Sequence, residues 1–548
     1  MMDDEEPPLK RRRLSPTDTD DDDDDCTPQQ LVLTPEQAEA KQRMDAILAR
    51  PTYGKGAKVL ACWPTGTGKT VGGGIAYMLE APRWVLFCSS TIYQSTWKPE
   101  MDKYGVAEGR GLVLSWHNLQ KGCSDGTMAR GLLVVKDKNS VQLTDRGRAV
   151  FGSGRVLVIF DESQESATPN TVRQRGMLAV CDTLHANPES TSIFLSASPI
   201  TDKTHVWSVT RQLNIHSSPT AAPSAAALIE TRFFAQLFDP DTVRAIEKSF
   251  LRQSAVARRV SNEMLTNEMF ELWCRVIQPH VAVTIETQPL RGTYVQLLAS
   301  VDDDASATGA LQTLLQVQTA KDTVKKHTAQ EMQQLRGQES QAMMDLERFK
   351  LKRSADELAR VLETQPTAKA VIIFKYAKYN FEWAVECARR IVQSEPLIIT
   401  GEVKPEVRAA RIRLFNQHND QHRVLLCSYQ AIQYGVSLHD TSEGGRFPRY
   451  VMGTSTGRYL SVEQALRGRF ERHNCTSWPV VAMVFARSSS ISEKTILRTL
   501  RERSSAQRRS TDSLARTPAL HAGEWPTVTD LLTLQPDTDG DKSLLAMV

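Results

Sequence analysis

Pro64-Thr-Gly-Thr-Gly-Lys-Thr70, directly after the apolar run Lys58-Val-Leu-Ala-Cys-Trp63, sets a glycine-rich turn and a lysine where a strand ends and a helix begins. Gly66 and Gly68 let the backbone curl so that successive N–H groups point inward at a phosphate, which the positive end of a helix also favours. In such a loop Thr65, Gly66, Thr67 and Gly68 cradle a triphosphate, Lys69 reaches its β- and γ-phosphates, and the Thr70 hydroxyl holds Mg²⁺. The pattern G-x-x-x-x-G-K-[ST] is not fully met, because position 63 is Trp where it asks for Gly. On this stretch alone, a Gly/Thr-rich surface turn that binds nothing is the competing reading.

A second, independent part follows about ninety residues on: Arg155-Val-Leu-Val-Ile-Phe160, then Asp161-Glu162-Ser163-Gln164. A continuous β-branched run ending in two carboxylates reads as a buried parallel strand with acids at its carboxyl end, where open α/β sheets bind ligands. Asp161 is the expected Mg²⁺ partner. Glu162 is the expected residue to align, or take a proton from, the water attacking the γ-phosphorus.

The chain of 548 residues is long enough for several domains, and Lys plus Arg at 67 against Asp plus Glu at 64 leaves no strong global field. Charge is segregated instead: Lys10-Arg-Arg-Arg13 and the acidic run Asp20 to Asp25 both lie in residues 1–32, which are too poor in apolar side chains to order themselves. The basic tetrad reads as a nuclear import signal or as a solvated tail. The nine cysteines are scattered with no C-x-x-C, which predicts a reducing compartment and neither a disulfide frame nor a zinc site. No apolar run approaches eighteen residues, so no membrane span is expected.

Two stretches alternate apolar strands with amphipathic helices, each predicting a doubly wound, mainly parallel α/β sheet. In 33–215 the strand candidates are Val59–Cys62, Trp84–Cys88, Gly111–Leu114, Val156–Phe160 and Ser192–Leu195. In 355–486 they are Ala370–Phe374, Leu397–Ile399, Val424–Cys427, Tyr450–Met452 and Val480–Phe485. Between them, 216–354 reads as a helical insertion, because Thr319 to Glu363 is rich in Gln, Lys, Glu, Met and Leu. Residues 487–548 read as a flexible Ser/Arg-rich tail with a short helix near Ile496 to Arg503.

Taken in order, these pieces resemble superfamily 2 helicases, and within them most closely the Swi/Snf-type DNA translocases. The resemblance covers residues 33–486. Leu33-Thr-Pro-Glu-Gln37 is similar to the motif whose glutamine reads adenine. Trp84-Val-Leu-Phe-Cys-Ser-Ser-Thr91 with Gln94-Ser-Thr-Trp97 resembles the strand and helix that grip a nucleic-acid backbone, which implicates Ser90 and Thr91. Gly111 to Leu119 resembles the companion strand, with Ser115 as the contact, while Trp116 and His117 fit packing equally well. Ser196-Ala-Ser-Pro-Ile200 is similar to the motif coupling hydrolysis to lobe movement. In the second lobe, Lys369 to Phe374, Ile399-Thr-Gly401 and Arg411 to Asn416 resemble the entry strand, the next strand and the helix after it. Ser428 to Leu438 resembles the motif lining both nucleic acid and ATP, with Ser428 on the nucleic acid and Gly435 shaping the turn. Gln464-Ala-Leu-Arg-Gly-Arg-Phe-Glu-Arg472, on a predicted helix, places Arg469 and Arg472 three apart and on one face, as arginine fingers.

The resemblance implies two tandem RecA-like lobes, ATP and Mg²⁺ as cofactors, and nucleic acid as partner, with duplex DNA ahead of RNA, in a nucleus or a virus-infected cell. The tails are the expected route for any protein partner. An RNA helicase and a motor-fold scaffold without turnover stay open as alternatives. The departures are Trp63, Ser163-Gln164 after the acidic pair, Gln464 one residue out of register with Gly468, and the triple glycine Gly72-Gly-Gly74.

Overall fold

The computed structural model describes residues 28–50, 55–64, 66–116, 133–135, 141–169, 171–197, 199–200, 203–215, 266–267, 269–271, 273–285, 292–323, 328–392, 395–432, 436–455, 469–470, 475–489 and 493. The strands among them are β1 (Ala57–Ala61), β2 (Trp84–Cys88), β3 (Gly111–Ser115), β4 (Leu133–Val135), β5 (Val141–Leu143), β6 (Val156–Asp161) and β7 (Ser190–Leu195). They continue with β8 (Ala282–Val283), β9 (Thr293–Ser300), β10 (Lys369–Phe374), β11 (Leu397–Ile399), β12 (Val424–Ser428), β13 (Arg449–Thr454) and β14 (Val480–Arg487). All ten strand candidates are strands, within two residues at each end.

Two six-stranded sheets result, ordered β3-β2-β6-β7-β1-β8 and β11-β12-β10-β13-β14-β9. Every pairing within them is parallel. These are the two tandem, doubly wound RecA-like lobes expected. Their strands read as unbroken apolar runs because both faces are covered. Leu60, Phe87, Val158, Phe160 and Phe194 enter one core of the first lobe, while Val59, Leu86, Ile159 and Ile193 enter the other. Phe87, Phe160 and Phe194 stand in register across β2, β6 and β7 and stack at 5.0 and 4.9 Å, a row that stiffens the middle of the sheet.

The described parts of residues 216–354 hold strands as well as the expected helices. They supply an edge strand to each sheet: β8 beside β1 in the first, β9 beside β14 in the second. Two residues are too few for a periodicity signal. In β9, Thr293 to Ser300, the polar residues are spaced too unevenly to stand out as alternation. The long helices are present, as Ala305–Thr323 and Ala329–Thr364. The second has 36 residues, starts on a Thr328/Glu331 capping box and spans about 54 Å. It crosses the expected boundary at 354/355 because its middle is bolted to the second sheet. Glu347 accepts from Lys375 N, Tyr376 N, Asn380 Nδ2 and Thr454 Oγ1 at 2.7–3.1 Å. Three residues on, Lys350 Nζ donates to Ser455 Oγ at 2.8 Å and pairs with Glu493 at 2.8 Å, all buried.

Among the described residues no helix is long and apolar enough to cross a membrane. The seven described cysteines are all buried and unbridged. The expected tails lie outside the described residues except at their inner ends, as does the helix expected near 496–503.

Candidate functional site

Because the strands run parallel, the chain leaves β1, β2, β3, β6 and β7 at one edge of the first sheet, and the candidate residues follow at that edge. Ala61, Leu195 and Asp161 are aligned across β1, β7 and β6. Ser196, which follows β7 and donates its N–H to Ala61 O at 3.1 Å, therefore stands between the phosphate loop and the acidic pair.

The loop after β1 has the backbone its sequence demands, with Gly66 at φ 86° and Gly68 at φ 80°. Lys69 Nζ donates to Trp63 O at 3.0 Å and Pro64 O at 3.5 Å, so the ammonium closes the loop over its own carbonyls. Gln37 braces it from outside. Its Oε1 accepts from Thr34 N in the capping box of helix Pro35–Leu48, and its Nε2 donates to Thr67 O at 2.9 Å. A Cβ on Gly68 would lie 2.2 Å from that Nε2. Thr70 leads into a π turn, Val71–Ile75, that continues as helix Ala76–Glu80.

The triple glycine and Trp63 explain each other. Side chains press on the π turn where a Cβ would stand: Trp63 at Gly72 (2.9 Å), Leu195 at Gly73 (2.9 Å) and Trp97 at Gly74 (2.3 Å). The helix-propensity cost of these glycines is exchanged for close packing of two indoles and a leucine.

Asp161 and Glu162 are both buried, at 6% and 9% exposure. The carboxylate of Asp161 receives Trp97 Nε1–H on Oδ2 at 2.8 Å, and its backbone carbonyl receives Trp116 Nε1–H at 3.1 Å. Burial raises its pKa to about 7, helped by the neighbouring Glu162 charge and opposed by the Trp97 N–H and the Lys69 ammonium. Burial also pushes the Cys62 thiol up to about 12, so the sulfur beneath the loop stays protonated. Glu162 sits in the left-handed region at φ 54°, where the chain turns sharply off the strand end. Its Oε2 accepts from Gln164 Nε2 at 2.6 Å, and Gln164 Oε1 in turn accepts from Ser196 Oγ. The second carboxylate is thus wired through one amide to the segment following β7.

A hydroxyl, a buried carboxylate that costs energy to ionise and a nearby ammonium suit a hard dication carrying phosphate oxygens. Thr70 and Asp161 would hold Mg²⁺, and Lys69 the phosphates. Such a dication would supply charge neutralisation on the γ-phosphoryl oxygens.

The remaining candidates are placed as follows. Ser90 is exposed at the start of the helical run after β2, where the preceding Ser89 Oγ accepts from Ile92 N at 3.2 Å. Ser115 ends β3, half-buried. In the second lobe Ser428 ends β12 and is buried, as is Arg469, a turn residue whose carbonyl accepts from Leu438 N at 2.8 Å. Thr91 lies in the helical run. Thr65, Gly435 and Arg472, with His117, Gln464 and Ser198, lie outside the described residues. The sequence reading did not single out Trp97 or Gln164. Both were in quoted motifs, but nothing in a linear pattern marks an indole N–H or an amide as aimed at a carboxylate.

No family model matches the chain. No curated protein matches it either. Among solved structures it is similar to Mss116p, lacking its NTE and C-tail and bound to ssRNA and AMP-PNP, at 10% identity over 89% of this chain and 81% of that one, with a TM-score of 0.41.

Proposed function

We propose that the chain is an ATP-driven motor on nucleic acid, with duplex DNA as its track. One observation carries this reading: a lysine-bearing phosphate loop, a buried Asp-Glu pair and a serine joined to that pair through Gln164 stand side by side on one sheet edge. Lys69 and the loop amides hold the triphosphate, Thr70 and Asp161 hold Mg²⁺, and Glu162 orients the attacking water and takes its proton. Ser196 senses that state through Gln164. Arg469 and Arg472 act as arginine fingers from the second lobe, and Ser90, Thr91, Ser115 and Ser428 follow the phosphate backbone. Contacts of that kind are indifferent to sequence and weaken with salt.

ATP turnover of the wild type and of Lys69→Ala, each with duplex DNA, single-stranded DNA or RNA, tests it. The expected result is hydrolysis stimulated by duplex DNA and reduced about 10²–10³-fold in the variant, the loss typical of one transition-state donor. Unchanged hydrolysis in Lys69→Ala removes the assignment. Stimulation by RNA alone replaces the track, and nucleotide binding without stimulated turnover makes the chain a scaffold. Triplex displacement without strand displacement then separates a translocase from an unwinding enzyme.

A further inference from the structure

Trp97 touches three parts of the first lobe at once. It ends the π turn Tyr93–Trp97 in the middle of a helical run that begins with Ser90–Ile92 and continues as helix Lys98–Tyr104. Its ring lies on Gly74, inside another π turn, Val71–Ile75, behind the phosphate loop. Its N–H reaches Asp161 Oδ2. π turns are rare and occur mostly at functional sites, and two of them meet at this contact. Each extra residue in a helical turn rotates the rest of the helix by about 100°, so a π turn relaxing to an α turn would swing the indole relative to the start of the run.

Core packing alone does not account for this indole. Trp63 and Trp84 are equally buried in the same core, and their Nε1 atoms make no hydrogen bond. The lobe therefore tolerates unpaired indoles, yet at Trp97 the N–H is aimed at the one carboxylate proposed to hold the metal.

We infer that Trp97 is a positioning residue that transmits nucleic-acid binding at the start of its helical run to the orientation of the Asp161 carboxylate and the phosphate-loop helix. This rests on the motor reading above. The track would act on the nucleotide site through the π turn and the indole N–H, with no need for the second lobe to carry the signal.

The test uses the full chain and Trp97→Phe, which keeps an aromatic ring and deletes the N–H. Duplex affinity is measured with and without Mg·AMP-PNP, AMP-PNP affinity with and without duplex, and ATP turnover with and without duplex. Coupling between two ligands is reciprocal, so the two binding series check each other. The expected outcome is that each ligand alone binds the variant about as it binds the wild type, while the coupling factor falls toward one and the fold-stimulation drops about tenfold, equivalent to one strong hydrogen bond to a charge. Trp116→Phe deletes an N–H aimed at the Asp161 carbonyl and is expected to keep the coupling. Coupling and stimulation retained in Trp97→Phe overturn the inference and leave the motor reading standing; a wild type with neither hydrolysis nor coupling removes both. Should Trp97→Phe fail to fold, the wild type with ¹⁵N-labelled indoles decides. Duplex without nucleotide is expected to shift the downfield indole N–H bonded to the carboxylate, and an unmoved resonance overturns the inference.

Discussion

Gln164 donates its side-chain amide to Glu162 at 2.6 Å, and this bond ties the residue proposed to handle the attacking water to a second strand end, because the other end of the same amide accepts from Ser196. Gln164→Ala would leave both partners buried without their mutual link. A hydrogen bond to a charged group is worth about 1.5–3 kcal/mol, and with Glu162 acting in the transition state as proposed, kcat is expected to fall about 10–100-fold. KM for ATP should change little, since the proposal gives neither group a contact with the triphosphate. Steady-state kinetics check this, and an equal rise in KM at constant kcat would refute it.

Two glycine-to-alanine substitutions should have opposite signs. Gly309 lies in helix Ala305–Thr323 with open space around its missing Cβ, so Ala there is expected to stabilise by up to about 1 kcal/mol. Gly74 would set its new methyl 2.3 Å from the Trp97 ring, and Ala there is expected to destabilise by about 1–3 kcal/mol. Denaturant unfolding of the two variants measures both.

His185 provides a pH dependence whose sign can be worked out. Burial, with the Lys58 and Lys55 ammonium groups beside it, lowers its pKa from 6.5 to about 4. Below pH 6.5 the unfolded chain takes up a proton that the folded chain refuses until about pH 4. Its contribution is therefore fully present above about 6.5 and lost as pH falls toward 4. His185→Gln is expected to flatten the melting temperature across that window, and an unchanged slope would show that another group carries it.

The buried pair Lys350–Glu493 should behave differently when broken and when replaced. Lys350→Met strands a carboxylate that also accepts Ala486 N–H at 3.0 Å, and is expected to cost about 3–5 kcal/mol. Removing both charges, as Lys350→Met with Glu493→Leu, is expected to recover much of that loss. A double-mutant cycle on unfolding free energies reads the difference.

The fold was legible wherever a strand is buried on both faces. Trp84 to Cys88, buried at every residue, is a strand with the expected bounds, because an unbroken apolar run has few other places to go. The edge strands β8 and β9 were not, whereas the apolar edges Gly111–Ser115 and Leu397–Ile399 were. Ala282–Val283 owes its place to β1 beside it and to nothing in its own two residues. In the site, Gly66 and Gly68 were legible because a positive φ selects glycine, and Asp161-Glu162 because charge at the end of an apolar strand is conspicuous. Trp63 and the three glycines looked like defects in a pattern and are one packing solution. Trp97, Trp116 and Gln164 could not be read, since a side chain's hydrogen-bond target depends on which strands become neighbours.

Glu162 holds its carboxylate on a left-handed backbone at φ 54°, a conformation costing an ordinary L-residue on the order of 1–2 kcal/mol and a glycine almost nothing. Stability and chemistry therefore pull this position in opposite directions. Under the role proposed for Glu162, a change to Gln keeps the strained turn, whereas a change to Gly is expected to abolish hydrolysis and relax the backbone together. A lineage released from turning over nucleotide would have reason to lose the acid at this position early.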